Sequence, residues 1–208
     1  MFYFCQSLTN LDLRSFYTNN VQSMAFMFYR CSMLESLNVS GWNVELVTSM
    51  QGMFGNCFAL KSLDLSGFNT KSIVNISNMF AGCENLESLV LTSFDTSGVD
   101  DLSCLFQNCN NLGELDLSSF NTNNVVSMED MFTNCEKLKT IFVSANFTVN
   151  NCSSSEYMFS RCWLLEGEKG TKYVNCLDEY DNEDASKLNK SYAHIDGGTT
   201  NPGYFTSK

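Results

Sequence analysis

The sequence predicts an α/β repeat solenoid, a right-handed stack of coils with one parallel β-sheet face, short helical segments on the other face and a 26-residue period. Three observations predict it. Cys5, Cys31, Cys57, Cys83, Cys109 and Cys135 are each 26 residues apart, and Cys162 follows after 27, so the last unit carries one inserted residue. Apolar columns keep the same frame: Leu11, Leu37, Leu63, Leu89, Leu115 and Ile141, then Leu13, Val39, Leu65, Leu91, Leu117 and Val143. Inside each unit the apolar spacing changes from two to three or four, which assigns one half to a strand and the other to helical turns.

The elements of one coil follow in order. Leu11 and Leu13 alternate with Asp12 and Arg14, the period-two signal of a short strand with one buried face. An aromatic column comes next, at Phe16, Trp42, Phe68, Phe94, Phe120 and, after the insertion, Phe147. Small polar pairs such as Asn19-Asn20 and Lys71-Ser72 suit a turn and a helix cap. Val21, Met24, Met27, Phe28, Cys31 and Leu34 then form a stripe that predicts a short helix or helical turns packed on one side. The unit reads LxxLxLxxFxTxxVxxMxxMFxxCxx from Leu8. One such coil cannot bury its apolar side, so neighbours must stack, with strands about 4.8 Å apart in one parallel sheet.

The frame divides the chain into a solenoid at 1–164 and a closing segment at 165–208. The solenoid comprises a partial coil 1–7 and coils 8–33, 34–59, 60–85, 86–111, 112–137 and 138–164. Met1-Phe2 with Cys5 falls on the columns of Met27-Phe28 with Cys31, so the chain starts inside a coil. The expectation is that further repeats and a secretion signal precede it. In the closing segment Gly197-Gly198 and Pro202-Gly203 mark turns, and Tyr192, Ile195, Tyr204 and Phe205 are placed to cover the last coil.

Composition removes several functions. The 208 residues carry 23 acidic and 12 basic side chains, a balance unsuited to nucleic acid or an anionic bilayer. No apolar run has the length of a transmembrane helix, so direct membrane insertion is not expected. The single histidine, His194, has no nucleophile motif, phosphate loop or metal-binding partner around it, so neither catalysis nor a cofactor nor a metal is expected. Zinc ligands usually sit two to four residues apart, and only Cys104 and Cys109 approach each other along the chain. Two readings of the Cys column stay open, buried apolar filler and disulfides between stacked coils. The acidic group Asp178, Glu179, Asp181, Glu183 and Asp184 fits no EF-hand spacing and reads as a solvated loop. Sequons at Asn38, Asn75, Asn146, Asn151 and Asn189 matter only in a eukaryotic secretory pathway.

Candidate partner-binding residues follow from the outward strand columns. One runs Asp12, Asn38, Asp64, Val90, Asp116 and Phe142, and the next Arg14, Ser40, Ser66, Thr92, Ser118 and Ser144. Together they pave an open, flat face of the kind that solenoids use for proteins. Val90 and Phe142 are its apolar exceptions, and an exposed aromatic on a polar sheet is a common anchor.

The run LDLSGFNTKSIVNISNMFAGCENLESL at 63–89, with near-copies at 11–34 and 115–138, resembles the BspA-like leucine-rich repeat surface proteins of bacteria and some protists, including the repeats of mycoplasma surface lipoproteins. The likeness covers residues 1 to about 165, and the tail SYAHIDGGTTNPGYFT is similar to segments that close such arrays. It implies a leucine-rich-repeat-like coil and a cell-surface or secreted protein that adheres to host or neighbouring-cell proteins. Common leucine-rich repeats place Asn after the strand, whereas this chain has Phe16, Trp42 and Phe68, so their ligands do not transfer. An intracellular protein scaffold and a passive surface stalk remain the alternatives.

Overall fold

The computed structural model describes residues 1–173, 190–194 and 203–208. Six coils each contribute one short strand: β1 (Asn10–Asp12), β2 (Ser36–Asn38), β3 (Ser62–Asp64), β4 (Ser88–Val90), β5 (Glu114–Leu117) and β6 (Thr140–Val143). Pairing is parallel and keeps the 26-residue offset, Leu11 beside Leu37, Leu63 beside Leu89 and Leu115 beside Ile141. The coil stack and its period are therefore as the Cys and Leu columns require. A last strand, β7 (Phe205–Ser207), comes from the closing segment and lies parallel to β6, with Phe205 beside Ile141. The single continuous sheet is not formed. Three patches occur instead, β1-β2, β3-β4 and β5-β6-β7, with seams after β2 and β4. Strands of three or four residues share only a few ladder bonds, so the twist between successive coils is enough to part them.

The far side of each coil departs from the expected helical segments. Its amide donors alternate between two destinations. Met24, Phe26, Phe28 and Arg30 donate to the next coil, at Ser49, Gln51, Met53 and Gly55, while Met27, Tyr29 and Cys31 turn back three residues, to Met24, Phe26 and Phe28. A helix requires every donor to return four residues along its own chain. Left-handed backbone at two positions per coil prevents that, at Phe26 and Arg30, Gly52 and Asn56, Asn78 and Gly82, Cys104 and Asn108, Asp130 and Asn134, and Tyr157 and Arg161. Asn and Gly, the residues that tolerate this conformation best, fill much of these two columns. The three-and-four spacing reports a buried stripe, but successive tight turns, not a helix, present it to the core.

Three ladders run through that core. Phe2, Phe28, Phe54, Phe80, Phe106, Phe132 and Phe159 stack face to face at 5.4–5.8 Å. Beside them each ladder cysteine from Cys31 to Cys162 donates its thiol to the Phe carbonyl of the preceding coil, as Cys57 Sγ does to Phe28 O at 3.2 Å and Cys135 Sγ to Phe106 O at 3.1 Å. The nine described cysteines are free, and Cys176 lies outside the described residues. Burial pushes the Cys83 and Cys135 thiols up to about 12, so they stay protonated and keep donating.

The third ladder is threonine. Thr18, Thr70, Thr96 and Thr122 each bridge the backbone N–H and C=O of one residue in the next coil. Val44, fully buried, occupies this column in the second coil and makes no such bridge to Asn69. Val44→Thr is nearly isosteric and adds the rung, so it should raise stability by about 1 kcal/mol. A urea unfolding curve measures this, and an unchanged midpoint would refute the threonine ladder as a stabilising element.

At the end of the stack Tyr204 and Phe205 meet Phe159 and Phe147 edge to face at 5.1 and 5.0 Å, and Tyr173 and Ala193 are buried beside them. At the start Met1, Tyr3 and Phe4 are exposed. Ile195, the turn at Gly197-Gly198, the acidic group Asp178 to Asp184 and Asn189 lie outside the described residues. No described helix is long and apolar enough to cross a membrane.

Candidate functional site: the strand face

Alternation along each strand turns one residue of three inward and leaves the flanking two on the open face. Asp12, Asn38 and Asp64 are exposed there, as are Arg14, Ser40, Ser66 and Thr92, whereas Val90, Asp116, Ser118, Phe142 and Ser144 are half-buried. Of the twelve, the Asp12 column lies on the strands, whereas the Arg14 column lies just past them, where each strand gives way to a turn, so it is not the second strand column that the alternation suggested.

The carboxylates and Asn38 have work inside the coil. Asp12, Asn38, Asp64 and Asp116 each accept, through Oδ1, the amide two residues on, at Arg14, Ser40, Ser66 and Ser118. This side-chain turn ends the strand and sends the chain toward the aromatic column. Arg14 also closes a two-atom contact on Asp12, with its terminal nitrogen 2.7 Å from Oδ2. Hydrogen bonds from the Ser66 side chain and amide hold the Asp64 pKa below the ordinary aspartate value. Ser97 does the same for Asp95 in the following turn of its coil. At Asp116 desolvation pushes upward, but Lys208 and Ser118 outweigh it and the net shift is downward.

Because these folded-state values are depressed, the stabilisation is complete above the unfolded aspartate pKa and disappears as pH falls through the folded ones. Thermal midpoints should therefore be level from pH 7 to 5 and fall below about pH 4. Scans of Asp64→Asn, which keeps the acceptor and loses the titration, check the assignment: that variant should lose part of the acid dependence.

Phe142 is not the free anchor that its column suggests. Lys208, next to the end of β7, places its ammonium 5.7 Å from the Phe142 ring centre and bonds Asp116. Lys208 carries no repeat signal, so sequence reasoning missed it, together with two grooves that open where the sheet parts. The first, about 450 Å³, lies along β2 and β3 over Leu37, Trp42 and Phe68, with Asp64 at its rim. The second, about 460 Å³, lies along β4 and β5 over Leu89 and Leu115, with Asp116, Phe142 and Lys208 at its rim. One partial signal was present: the small-residue column Gly41, Gly67, Ser93, Ser119. Ser93 and Ser119 tie their coils to the preceding one through Leu65 O and Leu91 O, and Gly67 offers no such tie beside the first groove.

The two outward columns carry carboxylates, hydroxyls, an amide, a guanidinium and two apolar side chains. Among the described residues no group of His, Cys, Asp and Glu is arranged to hold a metal ion. Both grooves are shallow and mix carboxylates, hydroxyls and apolar side chains, which suits contact with another polypeptide.

A family model described as "Mycoplasma protein of unknown function, DUF285" matches residues 1–90 and, again, residues 56–173. Its two overlapping matches are what an internally repeated chain gives when successive coils fit one profile. Searches of curated proteins and of solved structures return no match.

Proposed function

Because the chain belongs to DUF285, a Mycoplasma protein family of unknown function, we propose that it is a non-catalytic binding module of the BspA-like surface type. It acts at the cell surface or after secretion, adhering through its strand face to proteins of a host or a neighbouring cell. One observation carries this reading. Short polar side chains repeat on the strand face and leave an open surface with two grooves, while the Leu, Phe and Cys columns of successive coils are packed in the core.

A second reading, a passive stalk, draws support from the turn-closing hydrogen bonds of Asp12, Asn38, Asp64 and Asp116, which give those residues a structural purpose. The deciding variant must spare them. Ser40→Lys, Thr92→Lys and Phe142→Lys combined place three bulky cations on the face and leave each side-chain turn intact. Purified host matrix proteins should be captured by the wild-type protein and at least tenfold more weakly by this variant, with unchanged circular dichroism. Equal capture by both proteins would leave the stalk as the better account.

A further inference from the structure

The two apolar exceptions on the strand face are two coils apart, and each sits beside a carboxylate. Asp64 on β3 pairs with Val90 on β4, and Asp116 on β5 pairs with Phe142 on β6. The grooves share this translation: Leu37, Ser62 and Asp64 of the first correspond to Leu89, Glu114 and Asp116 of the second, each 52 residues on. The motif therefore occurs twice, as an aspartate that lines a groove toward the preceding strand and has an apolar neighbour on the next one; Phe142 also lines its groove, and Val90 stands beside its own.

At the second copy the molecule displays what the motif holds. Lys208 arrives on an extended segment, bonds the Asp116 carboxylate and covers the Phe142 ring with its ammonium. At the first copy the Asp64 carboxylate is exposed, and among the described residues no cation meets it. The amide and side chain of Ser66 bond it from within its own coil, the carboxylate stays exposed to solvent, and its depressed pKa keeps it anionic at neutral pH.

We propose that Asp64 and Val90, with the groove between β2 and β3, form a docking site for a lysine on an extended segment of a partner protein. The lysine's ammonium bonds Asp64 and its methylene stem lies on Val90, as Lys208 lies on Phe142. The partner adds no strand here. The coil bearing β5 follows β4 directly, so the room that β7 finds beside β6 is absent, and recognition rests on the side chain. The proposal depends on the strand face being a binding surface and specifies the chemistry of what that surface binds.

The test titrates the ¹⁵N-labelled full chain with a peptide of sequence Tyr-Phe-Thr-Ser-Lys-Thr, in which the chain's own residues 204–208 are followed by one added threonine, and with its norleucine analogue. The amide of Ser66 is the reporter, because it donates directly to Asp64 Oδ1 at 2.9 Å. The lysine peptide should shift Ser66 and Val90, and the norleucine peptide should leave both in place. Asp64→Asn, which retains the acceptor that Asn38 uses in the same column, should weaken binding about fivefold. Raising the salt should have the same effect as the substitution. Equal shifts with both peptides, or an affinity unchanged in Asp64→Asn, would overturn the docking site. If that happens while the triple-lysine variant still loses matrix proteins, the binding face stands and only its lysine specificity falls. Loss of neither would remove both.

Discussion

Phe80→Ala is expected to lower the stability of the whole chain by about 3–5 kcal/mol, the usual result of emptying a buried aromatic site. Phe80 is fully buried and stacks on Phe54 at 5.8 Å and on Phe106 at 5.6 Å, so the cavity removes contacts from two coil interfaces at once. Its carbonyl is also the acceptor of Cys109 Sγ, a bond that rests on the rings holding both coils in register. In a stack where each coil touches only its neighbours, a central rung couples everything before it to everything after it. Phe2 supplies the comparison: half-buried, with one stacking partner, it should cost about 1 kcal/mol as alanine. Urea unfolding of the two variants checks this. Equal losses at Phe2 and Phe80 would mean that coil-to-coil stacking does not organise the stability.

Gly82→Val should cost about 3 kcal/mol or more, which distinguishes the observed turns from a helix at the same residues. Gly82 has φ +77°, and a Cβ there would lie 2.5 Å from Asn56 Oδ1 and 3.3 Å from Asn56 Cα. A β-branched residue in left-handed backbone is a steric outlier, and the strain adds to the clash. In a helix Val would be only a mildly poor former, with a cost well below 1 kcal/mol relative to Ala. Gly82→Asn should stay within about 1 kcal/mol of wild type. The column already takes adjacent asparagines, Asn134 donating to Asn108 at 2.6 Å, and Asn accepts the conformation. Thermal melts of the three proteins give the answer, and a Val variant as stable as the Asn variant would contradict the left-handed turn.

Those two positions also show where the sequence was legible. The Phe80 column could be read directly, because a residue that must repeat in every coil to fill one layer leaves a period that needs no structure to see. Gly82 belongs to a column that was equally visible, as Asn56-Cys57, Gly82-Cys83, Asn108-Cys109 and Asn134-Cys135. Its meaning was masked by the stripe of Val21, Met24, Met27, Phe28 and Cys31, since spacing reports which side chains are buried and says nothing about which backbone path buries them. The residues just before the cysteines, with their tolerance of positive φ, were the better indicator of that path.

The candidate face divides in the same way. Its first outward column, Asp12 to Phe142, followed from strand alternation, which is a property of the covalent chain, whereas the Arg14 column lies past the strand ends, because each strand stops after three or four residues. Their individual roles did not follow. Asp12, Asn38, Asp64 and Asp116 close the turns of their own coils, and Phe142 lies under a lysine 66 residues farther along the sequence.

By itself the sequence determined the period, the number of coils, the parallel register and the inward or outward sense of each strand position. Each of these depends on local spacing, and the repeat multiplies every local preference into a column. The tertiary structure alone decided the replacement of helix by turns that bond forward to the next coil, the seams after β2 and β4, and the capture of Asp116 by Lys208. All three are settled by backbone groups and side chains from different coils competing for the same partners, and no window shorter than two coils contains both competitors.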